Sequence, residues 1–98
     1  MKYARNVHFQ IRDGKEQEFS KLFETEVLPM LRKENGFKDE LTLISKDRAM
    51  GISFWDNKTN ADTYHTSTFP KVIEKLNPVI TGTPKVENYE VGFTTLRA

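Results

Sequence analysis

Tyr64 and His65 stand side by side in the segment NADTYHTSTFP. A histidine titrates nearest to neutral pH and can take or give a proton, and a tyrosine hydroxyl beside it can donate a hydrogen bond to a reacting oxygen. In a cavity between helix and sheet the two would form an acid–base pair. The same residues would equally serve as a packed tyrosine with a histidine at the solvent edge. Trp55, which ends the run GISFW, could stack on a flat aromatic ligand or act as a core or dimer contact. Asn6 and His8 point the same way from an alternating segment, where they could line a polar pocket or bond across a dimer. Arg48, in the polar stretch SKDR, reads as a solvated turn charge.

Stronger motifs are missing from the sequence. It has no phosphate-cradling glycine loop, no GxSxG elbow and no HExxH. With no cysteine, disulfides, thiolate metal sites and a cysteine nucleophile are excluded, and a cytoplasmic location is weakly favoured. His8 and His65 share no ligand spacing with another soft donor, so no metal is expected. Lysine and arginine number 15 against 14 acids, a net charge of +1 with no like-charge run. That predicts neither a nucleic-acid partner nor a polybasic membrane patch. The segment MKYARNVHFQ lacks the apolar core of a signal peptide, and no apolar stretch is long enough to span a bilayer.

The elements that must position these residues follow from periodicity. Val7, Phe9 and Ile11 alternate with Asn6, His8 and Gln10, a strand that ends at Asp13-Gly14. Phe19, Leu22, Phe23, Val27, Met30 and Leu31 recur at helical spacing over Lys15 to Glu34, with a kink expected at Pro29 and a left-handed stop at Asn35-Gly36. Leu41 to Ser45 and Met50 to Trp55 form a hairpin around Lys46-Asp47-Arg48. Thr59 and Asp62 resemble a capping box opening a second helix, which Pro70 breaks and restarts, with Val72, Ile73 and Leu76 inward. Gly82-Thr83-Pro84 reads as a loop, and Val86 to Thr95 as a last strand with Tyr89, Val91 and Phe93 on one face.

The order β-α-β-β-α-β predicts an α+β, ferredoxin-like single domain over residues 1–98, with a four-stranded antiparallel sheet. Hydrophobic residues at 37% and charged residues at 30% suit a folded, soluble chain. Two helices cover one sheet face. The other is expected to carry His8 and Gln10 with Ala49, Gly51, Ser53 and Trp55, and to be sheltered by a second copy, making a homodimer.

The stretch ISFWDNKTNADTYHTSTFPKVIEKLNPVI, followed by GTPKVENYEV, resembles the second half of the antibiotic biosynthesis monooxygenase (ABM) family, and F-x-x-x-F on the first helix with NGF before the second strand fits its first half. The resemblance implies a dimeric α/β barrel, two sheets closing on each other with helices outside. It implies a cofactor-independent monooxygenase-like protein acting on a small aromatic or quinol-type molecule, with no metal or flavin of its own. The protein would deprotonate its substrate and stabilise the anion. Tyr64 and His65 would then be the catalytic candidates, with Trp55, His8 and Asn6 against the substrate. A non-enzymatic ligand-binding dimer, or a structural one, is the alternative, since fold does not carry function. The family's haem-degrading branch, with Asn on the first strand and Trp and His on the second helical region, does not fit. Tyr64 and Glu74 occupy the Trp and His positions, and Val7 rather than Asn6 falls at the Asn.

Overall fold

The computed structural model describes residues 2–96. Strand β1 (Tyr3–Ile11) leads into helix α1 (Glu16–Leu22), a π-helical turn (Phe23–Val27) and helix α2 (Leu28–Arg32). Strands β2 (Phe37–Ser45) and β3 (Arg48–Trp55) follow, then α3 (Lys58–Ser67), α4 (Phe69–Leu76) and β4 (Ile80–Glu90). The strands form one antiparallel sheet in the order β2-β3-β1-β4, as the α+β ferredoxin-like reading requires. No helix among the described residues is long and apolar enough to cross a membrane.

The amphipathic stretch before β2 is nearly continuous, and its irregularity lies just before Pro29. Pro29 offers no N–H, and its ring crowds the carbonyl four residues back, on Thr25. The wider turn absorbs both, with the Leu28 N–H bonding to the Phe23 carbonyl. Gly36 ends this unit at φ +79°, and a Cβ there would run into Asn60, so the glycine also lets α3 approach the start of β2.

Several local expectations are corrected. Ser45 pairs with Arg48, so the hairpin loop is Lys46-Asp47 and Arg48 is a strand residue, exposed at the end of β3. The cap of α3 is Asn57, whose side chain accepts from the Asn60 N–H at 2.9 Å, not Thr59. Gly82 and Pro84 lie inside β4, where Gly82 at φ +72° accompanies the shift in β1 pairing between His8 and Gln10. That strand ends at Glu90 rather than Thr95, because Glu90 pairs with Tyr3 and the partner strand runs out there. Phe93 beyond it is 88% exposed.

The largest correction concerns which residues of β3 face the helices. Phe9 pairs with Ala49, Val7 with Gly51, Arg5 with Ser53 and Tyr3 with Trp55. Paired residues share a face, so the small residues and Trp55 lie under the helices rather than on the open side. The open face instead carries Leu41, Leu43, Met50, Ile52, Phe54 and Tyr89 around Ala4, Asn6, His8 and Gln10. Apolar size explains the inversion. Phe19, Val27, Leu31, Val72 and Leu76 descend from the helices and need small residues beneath them to close-pack.

Candidate functional site

Across the helix-covered face runs one polar row. Asn88 of β4 pairs with Arg5 of β1, Arg5 with Ser53 of β3, and Ser53 with Glu40 of β2. The rows on either side are largely apolar: Tyr3 with Trp55, and Val86, Val7 and Gly51 with Thr42. A charged residue therefore stands on the helix side of two of the four strands, Arg5 buried and Glu40 half-buried.

Arg5 is 1% exposed. Its guanidinium carbon lies 4.3 Å from the centre of the Phe69 ring and 5.3 Å from that of Tyr64, so two aromatic faces cover the cation. Among the described residues Nε and Nη2 have no hydrogen-bond partner. Burial pulls its pKa below the usual arginine value, with partial compensation from Tyr64, Asp62 and Tyr3. An arginine nonetheless keeps its proton. The result is a fixed positive charge holding two donor nitrogens in reserve.

Beside it lies a cavity of about 20 Å³, lined by Arg5, Glu40, Gly51, Tyr64, Phe23 and Phe69, among others. Roughly one water fits such a space. Gly51 forms part of its floor; a Cβ there would sit 3.4 Å from Glu40 Oε1 and 3.5 Å from Phe9. Glu40 accepts from the Thr42 hydroxyl at 2.9 Å. Burial pushes its carboxyl up to about 8, against the Thr42 bond, which lowers it, and with Asp39, which raises it slightly. Burial also pushes the Tyr64 phenol well above its ordinary value, with Arg5 opposing and Glu40 and Glu34 assisting. Tyr64 therefore stays a neutral hydroxyl at physiological pH. The cavity thus combines a cation, a carboxyl that titrates near neutrality and a phenol that does not.

The sequence candidates fall in three places. Tyr64 lines the cavity. His65, next to it on α3, turns outward, is exposed and stacks on Phe69 at 5.6 Å. Desolvation and the Arg5 charge lower its pKa, with Asp62 opposing. Trp55 is 0% exposed and lies behind the cavity, packed on Tyr64 at 5.0 Å and Phe37 at 5.7 Å, its indole N–H donating to Ser53 Oγ at 2.9 Å. Asn6 and His8 are on the opposite face of the sheet. His8 Nε2 is 2.8 Å from Glu87 Oε1 and borders an open concavity of about 640 Å³ with Leu43, Met50 and Lys85. Asn6 Oδ1 is buried without a partner among the described residues.

Arg5, Glu40, Gly51 and Phe69 were not singled out by sequence reasoning. Arg5 had a usable signal, since it is in phase with Tyr3, Val7, Phe9 and Ile11, the apolar face of its strand. Glu40 had none, because KDELTL shows no clear alternation before Leu41. Among the described residues no three or more His, Asp or Glu side chains gather as metal ligands.

No family model matches the chain, and no curated protein matches it either. Solved structures do. A Nitrosomonas europaea protein of unknown function, NE2512, superposes with a TM-score of 0.82 at 15% identity over 99% of this chain and 95% of its own. The monooxygenase ActVA-Orf6 of Streptomyces coelicolor, solved with nanaomycin D, gives 0.79 at 15% identity, covering 99% and 93%. SnoaB, a cofactor-independent oxygenase of Streptomyces nogalater, gives 0.78 at 13% identity, covering 98% of both chains. At such identities the likeness is one of fold, and the chain has the fold of antibiotic biosynthesis monooxygenase-type structures.

Proposed function

We propose that this chain is a cofactor-independent oxygenase-like protein that binds a small aromatic of phenol or quinol type in the cavity beside Arg5, and that it works as a homodimer. The observation that carries this reading is the buried Arg5 guanidinium, whose nitrogens Nε and Nη2 lack partners among the described residues beside a cavity walled by Tyr64 and Phe69. Leaving such donors unpaired costs about 1–3 kcal/mol, and an oxyanion would recover it. The ABM-like fold supports the same reading, since ActVA-Orf6 and SnoaB share it.

The chemistry needs an anion holder. A phenol loses its O–H proton to become an anion, held by Arg5 with Tyr64 as a neutral donor. A ring CH carbon conjugated to that oxygen gives an electron pair to dioxygen, forming a C–O bond, and the peroxide takes up the proton. Loss of that carbon's C–H proton with O–O cleavage leaves a second carbonyl and releases water. One phenol O–H, one ring C–H and one O2 thus give two C=O and one H2O, with the substrate supplying all the electrons.

The small cavity volume favours a second reading, a non-enzymatic module that holds a small ligand. Oxygen uptake with simple quinols separates the two. Uptake that falls at least about tenfold in Arg5→Met and Tyr64→Phe, yet persists in His65→Ala, supports the oxygenase. Saturable ligand binding without uptake supports the module. Uptake unchanged in Arg5→Met and Tyr64→Phe contradicts the assigned site.

The dimer is argued from the open sheet face, where Leu43 is 50% exposed and Tyr89 52%, beside the half-buried Met50, Ile52 and Phe54. Taking such a side chain from exposed to buried is worth roughly 1.5–3 kcal/mol, so each of these half-covered ones has about 1 kcal/mol still to gain, and a twin face would supply it.

A further inference from the structure

The interior cavity is too small for an aromatic ring as it stands, so a ligand must widen it from some side. Its wall toward β2 is made by Phe23 and Glu40, among others. The same two side chains line a groove of about 250 Å³ on the outer surface, between the first helical unit and β2, with Ser20, Glu24, Leu28 and Thr42. Phe23 and Glu40 are therefore common to the cavity and the groove. Phe23 opens the π turn, where the helix leaves its regular bonding ladder. Glu40 is tied to its place by one hydroxyl, that of Thr42.

The two charged members of the polar row lie on β1 and β2, with β3 between them. That sets their backbones roughly 10 Å apart. Among the described residues they make no ion pair, and both border the cavity. One aromatic ring between them would present opposite edges to a cation and a carboxylate.

On the ground of the reading above, we infer that the ligand is an aromatic with a hydroxyl conjugated across the ring to a carbonyl-type acceptor. It passes from the groove between Phe23 and Glu40, gives its hydroxyl proton to Glu40 and places the acceptor oxygen on Arg5. The ligand O–H bond breaks, an O–H bond forms on the Glu40 carboxylate, and the electron pair stays on the ligand, spread through the ring to the oxygen held by Arg5. No electron leaves the ligand in this step. The groups facing Glu40 are Asp39 beside it, the Thr42 hydroxyl, Glu24 across the groove, and Arg5 and Tyr64 across the cavity. The raised pKa of its carboxyl suits it to keep a proton received from a phenol.

The probe is para-nitrophenol, whose anion carries its charge through the ring to the nitro oxygens. Calorimetric titrations at about pH 9, in two buffers of different protonation enthalpy, count the protons taken up on binding; there the free probe and the empty Glu40 are both ionised, so the one proton that the bound pair keeps on Glu40 is drawn from buffer. The wild type is expected to take up about one proton per ligand, and Glu40→Gln close to none. The meta isomer, whose charge does not reach the nitro group, is expected to bind about tenfold more weakly, as is para-nitrophenol to Arg5→Met. Phe23→Leu, which keeps an apolar side chain at the threshold, is expected to speed association about fivefold or more. Gly51→Ala fills the floor at ordinary contact distances and is expected to abolish binding without unfolding. Equal proton uptake in Glu40→Gln, equal affinity for the two isomers, or an unchanged association rate in Phe23→Leu would each overturn this inference while leaving the Arg5 cavity intact. Binding by Gly51→Ala equal to the wild type, or none by the wild type at millimolar probe, would overturn the cavity reading beneath it.

Discussion

The two faces of the one sheet are made from the same strands and depart from ordinary burial in opposite directions. Under the helices a guanidinium is closed in with donors unpaired and a carboxyl is pushed up to about 8, although small apolar residues could have filled the space. On the other face, large apolar side chains stand in solvent around a His8–Glu87 pair. A folded monomer is less stable for each departure. Under the proposed function, the covered face is a ligand site for an anion and the open face an interface with a second copy. Different occupants should satisfy them, and variants should separate them.

The largest effect is expected on the open face. Leu43→Lys combined with Ile52→Lys should weaken association by about 100-fold or more, seen as a shift to single copies in sedimentation velocity. Binding of a small phenol in the covered cavity should survive. If the double variant still sediments as the wild type does, the open face is not the interface.

Next comes Arg5→Met. Removing an uncompensated buried charge and filling its place with an apolar side chain should raise unfolding free energy by about 1–3 kcal/mol in chemical denaturation while anion binding weakens about tenfold. A destabilised Arg5→Met would mean that the cation–π contacts with Phe69 and Tyr64 outweigh the unpaired donors, and that Arg5 is structural.

Glu40 sets a pH dependence of stability. Its carboxyl is raised in the folded state, so between about 4.5 and about 8 the folded protein binds more protons than the unfolded chain. The stability this contributes is complete below that window and is lost as pH rises through it, by up to a few kcal/mol. Denaturation of Glu40→Gln should show a flatter profile across the same window. Parallel profiles for the two proteins would show that Glu40 is better solvated than its surroundings indicate.

Smaller effects should mark the edges of the site. Trp55→Phe removes the indole donor to Ser53 and should cost about 1 kcal/mol, with more if packing on Tyr64 loosens. His65→Ala should change stability by less than about 0.5 kcal/mol and leave binding intact, because the ring is on the solvent side of α3.

The fold was legible in the sequence because the residues that set it repeat. Asn6 to Ile11 alternate at every step, and Phe19 to Leu31 keep one helical stripe through Pro29. The site was less legible, since it depends on which side each strand turns, and β3 offers Ala49, Gly51 and Ser53 in one phase and Met50, Ile52 and Phe54 in the other. Read alone, the small phase suits a tight interface. Only pairing with Val7 and Phe9 puts it under the helices. Tyr64 was found through its place beside a titratable histidine, not through its packing. Its neighbour His65 follows it in sequence but is turned about 100° away around the helix, which is enough to put it in water. Arg5 hid behind its charge, although its position in the alternation marked it as a core residue.

The measurement that tests the account most directly is a nuclear magnetic resonance titration following the Arg5 side-chain Nε–H together with the open-face residues His8, Leu43 and Met50 as a para-nitrophenol solution is added. The Arg5 resonance should shift in a saturable way and become protected from exchange, with the open-face signals nearly still. Saturable shifts confined to the open face, with Arg5 unmoved, would contradict the assignment of the covered face as the binding site.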